Sequence, residues 1–142
     1  MAIQLYMALY KTFHAQKNRI RPGMLEMGLS PGQPKVLGFL SHTDSCMQKD
    51  IAAALDIEPA TVSQLLSNME QNGLVKRSGC TERKRADSVS ITEKGIAAHE
   101  EWLKICLAVE KDALNGFTQS EREQFIGYLG RMYRNLTGKT FD

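Results

Sequence analysis

No stretch constrains the fold of this chain as much as Gln48 to Gly73, QKDIAAALDIEPATVSQLLSNMEQNG. Ile51, Ala52 and Leu55 recur at helical spacing, "DIEP" breaks the run, and Pro59 restarts a helix that Gly73 is expected to stop. Proline suits that restart because its missing N–H would lack an intrahelical partner in the first turn anyway. The spacing predicts helices over about 48–55 and 59–72 with a turn of about four residues between them. That is the skeleton of a helix-turn-helix.

Elements on either side extend this skeleton. Residues 2–20 carry Ile3, Met7, Tyr10 and Phe13 at helical spacing, and Pro22-Gly23 is expected to close that segment. In "GLSPGQPKVLGFLSH", Ser30 reads as an N-cap, Pro31 as the first helical residue, and Val36, Leu37 and Leu40 as the apolar face. A helix is therefore expected at about 31–42, followed by a polar connector. Beyond the helix-turn-helix, "LVKRSG" and "SVSI" are β-prone runs separated by a segment of hairpin length. Thr92 opens a long helix reaching about Leu114, and Thr118 with Glu121 three residues on opens a last one carrying Phe125, Leu129, Met132 and Leu136. The expected class is mainly α, formally α+β.

Turning the 59–72 helix at 100° per residue gathers Val62, Leu65, Leu66 and Met69 on one side. Elsewhere lie Ala60, Thr61, Ser63, Gln64, Ser67 and Asn68, without an acid before Glu70. Solvated helix faces normally mix Lys and Glu, whereas Ser, Thr and Asn are poor helix formers. Small hydrogen-bonding side chains suit close approach to DNA, where Gln and Asn pair with adenine edges. A plain polar face is the alternative reading from this helix alone. The neighbouring hairpin adds Lys76 and Arg77 at its base and Arg83, Lys84 and Arg85 at its tip, against the single acid Glu82. Cations in a hairpin beside a helix-turn-helix read as a wing on the DNA backbone or in a minor groove. Thr61, Ser63, Gln64, Ser67 and Asn68 are thus the candidate base or phosphate readers; Lys76, Arg77, Arg83, Lys84 and Arg85 are the candidate backbone contacts. Gln48, which opens the first helix of the pair, completes the candidate DNA-binding set.

Composition narrows the class. The formal charge is +2, and 42% hydrophobic with 24% charged residues is ordinary for a globular protein. Neither a signal peptide nor an apolar run of ~18 residues is evident, so a cytoplasmic chain without a membrane partner is expected. Cys46, Cys80 and Cys106 share no disulfide or zinc spacing, His42 and Cys46 are four apart but not expected on one continuous helix, and His14 and His99 lack companion ligands at binding spacing, so neither metal nor cofactor is expected. No phosphate loop, nucleophile elbow or H-E-x-x-H occurs, which argues against an enzyme.

Three phrases resemble the MarR family of bacterial winged-helix regulators: "LSPGQPKVL" (29–37), "QKDIAAALDIEPATVSQLLSNMEQNGLVKR" (48–77) and "RKRADSVSITEKG" (83–95). The resemblance implies one MarR-like domain over 1–142, with the winged helix-turn-helix at about 30–92. Helices at about 2–22 and 93–137 would form a dimerisation platform. It further implies a homodimeric regulator, a repressor by preference, on a pseudo-palindromic double-stranded operator. Relatives commonly take a small aromatic effector between platform and wing. Tyr6, Tyr10 and His14 could line such a crevice, or pack in the dimer interface. Two other readings stay open: a winged-helix protein-interaction module, and a thiol switch at Cys80, whose thiolate the wing cations would favour. The chain departs from the family pattern with Arg83 where an Asp is usual, Glu58 where a Ser or Thr cap is usual, and Gln64 where a basic residue is frequent.

Overall fold

The computed structural model describes residues 2–78 and 88–142. In chain order the elements are α1 (Leu5–Glu26), α2 (Gln33–Leu40), β1 (Cys46–Met47), α3 (Gln48–Leu55), α4 (Pro59–Gln71), β2 (Val75–Ser78), β3 (Ser88–Ile91), α5 (Glu93–Ala113) and α6 (Gln119–Thr137). The chain divides into two units, Met1–Leu107 and Ala108–Asp142.

In the first unit, the core gathers the apolar faces that the helical spacing marks: Val36, Leu37 and Leu40 of α2, Ile51 of α3, and Val62, Leu66 and Met69 of α4, all fully buried. Val75 and Val89 add the inner face of the sheet. The sheet is antiparallel with strand order β1-β3-β2. In its register Val75 stands opposite Ile91, Lys76 opposite Ser90, Arg77 opposite Val89 and Ser78 opposite Ser88. Residues directly opposite share a face and alternate along each strand. Val75, Arg77, Val89 and Ile91 therefore face the helices, while Lys76 faces away.

Three local expectations are corrected. Helix α1 runs through Pro22 to Glu26 instead of closing there. Its last turn is secured by the Leu29 amide, which donates to the Met24 carbonyl at 3.1 Å, with both side chains in the core. Burying two such side chains contributes about 1.5–3 kcal/mol each, enough to offset the ~3 kcal/mol cost of an internal proline. Helix α2 starts at Gln33, not Pro31: Gly32 is the N-cap, and the Ser30 amide donates to the buried Gln33 Oε1 at 3.1 Å instead of Ser30 capping the helix. The polar connector holds β1, whose Cys46 and Met47 pair with Val89 and Ser88.

The end of α4 is joined to the start of α5 by a set of hydrogen bonds to backbone carbonyls. Gly73, at φ 74°, turns the chain so that its amide donates to Glu70 and the Leu74 amide to Met69, at 3.0 and 2.9 Å. This is the Schellman geometry that a left-handed residue permits. The three carbonyls that follow are then taken in order. Lys94 Nζ donates to Asn72, Thr92 Oγ1 to Gly73, both at 2.6 Å, and the Thr92 amide to Leu74 at 3.1 Å. Thr92 Oγ1 also accepts from the Gly95 amide at 3.0 Å, capping α5. In the second unit, α6 carries the capping box read from the sequence: Glu121 donates its amide to Thr118 Oγ1, and Glu121 Oε2 accepts from the Thr118 amide.

Gly95 is where this junction is tightest, because a Cβ there would overlap the Leu74 carbonyl and Ile91 Cγ1. Backbone cannot yield as a flexible side chain can. Gly95→Ala should therefore lower unfolding stability by about 1–3 kcal/mol in urea titration; an unchanged midpoint would show that the junction is looser than its geometry.

Candidate nucleic-acid interface

Helix α4 packs on α3 and β2 through its buried side, and the opposite side is open. Thr61, Gln64, Ser67 and Asn68 are exposed, as the helical rotation predicts, and Ser63 is half-buried at the edge. Ala60 and Gln71 are exposed on the same arc, Gln71 one turn beyond Ser67. Gln71 was legible as a member of this face, since it continues the Gln64–Ser67 row at i+4 spacing. Gln48 is the first residue of α3 and is half-buried. Glu58, which precedes Pro59, makes no side-chain cap bond to α4. The amides of the first turn are thus not taken by the residue that usually claims them.

Strand β2 separates two of the candidate cations. Lys76 is exposed, in keeping with its outward register. Arg77 points the other way. Its Nη2 donates to the Ser63 carbonyl at 2.9 Å, its amide donates to Glu70 Oε2 at 3.2 Å, and its Nε is shielded from solvent. The Ser63 carbonyl also accepts from Ser67 Oγ at 3.0 Å. A hydrogen bond from a charged donor contributes about 1.5–3 kcal/mol. Arg83, Lys84 and Arg85, with Cys80, lie outside the described residues, in the 79–87 connection between β2 and β3.

A second feature lies in the first unit: a cavity of about 300 Å³ lined by α1, the start of α2 and Trp102 of α5. Phe13, Ile20, Met24 and Trp102 supply apolar wall; Lys17, Arg21 and Lys35 supply positive charge. Tyr6, Tyr10 and His14 are exposed on α1 and outside this lining, with the Tyr10 and His14 rings stacked at 5.8 Å. Among the described residues no group of His, Cys, Asp and Glu could hold a metal ion, and no helix is long and apolar enough to cross a membrane.

His99 and Cys46 have displaced acidities. Burial, with a contribution from the nearby His42, lowers the His99 pKa and favours the neutral ring. Burial, reinforced by the Asp50 carboxylate, pushes the Cys46 thiol above the usual thiol range, with the proximity of Thr43 opposing the shift weakly.

A helix pair with one polar, acid-poor face, followed at once by two antiparallel strands with Lys76 facing outward, defines a winged helix-turn-helix protein. Residues 27–86 match the model of the MarR family. That segment belongs to the MarR family, and the chain has the fold of its regulators. The transcriptional repressor MdtR of Bacillus subtilis (strain 168) is 29% identical over 127 residues, covering 87% of this chain and 82% of that protein. Among solved structures, the complex of S. aureus MepR with DNA aligns at a TM-score of 0.83 with 25% identity, covering 94% of this chain and 99% of that one. The transcriptional regulator SlyA aligns at 0.84 over 94% of both chains with 21% identity, a likeness of fold alone.

The thiol environment gives a direct check. Because only the thiolate is nucleophilic, Cys46 should react with iodoacetamide near pH 8 more slowly in the folded protein than in urea. Equal rates would remove burial as the controlling factor.

Proposed function

We propose that the chain is a sequence-specific regulator of transcription, acting in the cytoplasm as a homodimer that represses from a pseudo-palindromic operator in double-stranded DNA. The observation that carries this reading is the open face of α4. Thr61, Gln64, Ser67 and Asn68 are exposed and uncharged on a helix whose other side is fully buried. Such a face can enter a major groove without electrostatic penalty and read base edges. Lys76, with Arg83, Lys84 and Arg85 of the connection, supplies backbone and minor-groove contacts that give affinity and register. The relatives MdtR, a repressor by name, and MepR, solved with DNA, support the same reading.

Unsatisfied apolar surface supports the homodimer. Helix α6 has no buried residue although it carries Phe125, Ile126 and Leu136, the last 74% exposed. On α1, Leu5, Tyr6, Tyr10 and Phe13 are exposed as well. A helix this polar-poor on one side needs a cover, and a second copy supplies it by twofold symmetry. Two copies of α4 then reach successive major grooves, with half-sites about 10 base pairs apart. The cavity between Phe13, Trp102, Lys17, Arg21 and Lys35 is the seat for an effector, an apolar aromatic molecule with an anionic group.

Selection from a random duplex pool near physiological salt tests this reading, with enrichment of a twofold pseudo-palindrome as the expected result. Binding without enrichment would contradict sequence specificity, and no binding would turn the reading to a protein-interaction module. On the enriched duplex, Gln64→Ala should change discrimination at one position per half-site by about 1–3 kcal/mol. An unchanged preference would remove Gln64 from base readout.

A further inference from the structure

We propose that Arg77 is a positioning residue that sets the reading pose of α4 from behind, not a phosphate contact. The inference rests on the DNA-binding reading above and deepens it by naming what aims the helix. Three observations meet at this side chain. The β2–β3 register places it on the inner face of the sheet, opposite the buried Val89. Its Nη2 reaches the Ser63 carbonyl, midway along α4, at 2.9 Å, and its Nε is shielded from solvent. Its own amide is held by Glu70, two turns further along the same helix, at 3.2 Å.

The result is a brace with two attachment points on one helix. Ser63 lies between Thr61 and Gln64, which are open to the groove, and its carbonyl is also held by Ser67 Oγ. Rotation of α4 about its axis would have to break the Arg77–Ser63 bond, whereas the apolar contacts of Val62, Leu66 and Met69 tolerate small rotations because they are non-directional. Directional bonds therefore fix the angle at which the polar face meets a groove. Strand β2 and the reading helix become one piece, so Lys76 on the strand and the readers on the helix keep a fixed spacing along the duplex.

A phosphate contact and a brace predict different salt dependence. Neutralising a phosphate contributes about −0.9 to the log-log slope of affinity against salt, so losing one contact per protomer would reduce the slope of a dimer by about 2. A brace touches no phosphate and leaves the slope unchanged. The test titrates the full-length protein, Arg77→Met and Arg77→Lys against the enriched duplex and a scrambled duplex over a range of KCl concentrations. Arg77→Met should weaken the enriched duplex at least about tenfold, leave the scrambled one within about twofold, and keep both slopes. Arg77→Lys keeps the charge but is one atom shorter and lacks the guanidinium fork, so it should show the same selective loss. Near-complete rescue by lysine, equal weakening of both duplexes with a reduced slope, or no change at all would each overturn the brace.

Hydrogen exchange without DNA separates failure of this inference from failure of DNA binding. Amides of α4 around Ser67 should exchange faster in both variants while those of α2 do not. Unaltered α4 exchange would overturn the brace even if the wild-type protein binds no duplex, and a variant too unstable for titration is judged by the other.

Discussion

Burial of Val62, Leu66 and Met69 is the interaction on which the rest of the interface depends. Each such side chain contributes about 1.5–3 kcal/mol when removed from water, so one side of α4 is committed to the core of the first unit. What remains is a narrow outward arc, and its composition is free to serve recognition. The Schellman turn at Gly73 and the three carbonyls taken by Thr92 and Lys94 then fix where the helix ends relative to α5. Core packing, turn geometry and backbone bonds all hold the same element.

Charge is arranged around the open face of that element, not within it. The open face formed by Thr61, Gln64, Ser67 and Asn68 is neutral, the outward strand residue Lys76 is cationic, and the inward Arg77 donates to a helix carbonyl. Neighbouring cations in one short strand thus meet different surroundings because the pleat turns them to opposite faces. In the proposed complex, affinity comes from the wing and discrimination from α4, and the rigid link between them keeps the two in register.

Much of this was legible in the sequence because the relevant signals are local. Pro59 and Gly73 bracket α4, the Thr118–Glu121 pair opens α6, and the helical repeat separates Val62, Leu66 and Met69 from Thr61, Gln64 and Ser67. The misses came where a non-local contact outweighed a local preference. Pro22 does not end α1, since Met24 and Leu29 gain more by burial in the core than the proline costs. Ser30 is not a cap, because the Gln33 side chain is buried and claims the Ser30 amide. Strand β1 has only two residues and exists through its pairing with β3, which no window of sequence reveals. The inward register of Arg77 is legible in the Val75-x-Arg77 alternation, whereas its bond to the Ser63 carbonyl is a contact that no window of sequence reveals.

The central claim is that two copies of α4, aimed outward and related by twofold symmetry, read one duplex. Hydroxyl-radical footprinting of the wild-type protein on its enriched duplex measures this directly. Protected backbone tracts related by a twofold axis are expected, with half-site centres about 10 base pairs apart. A single unsymmetrical tract, or uniform protection along the duplex, would contradict it.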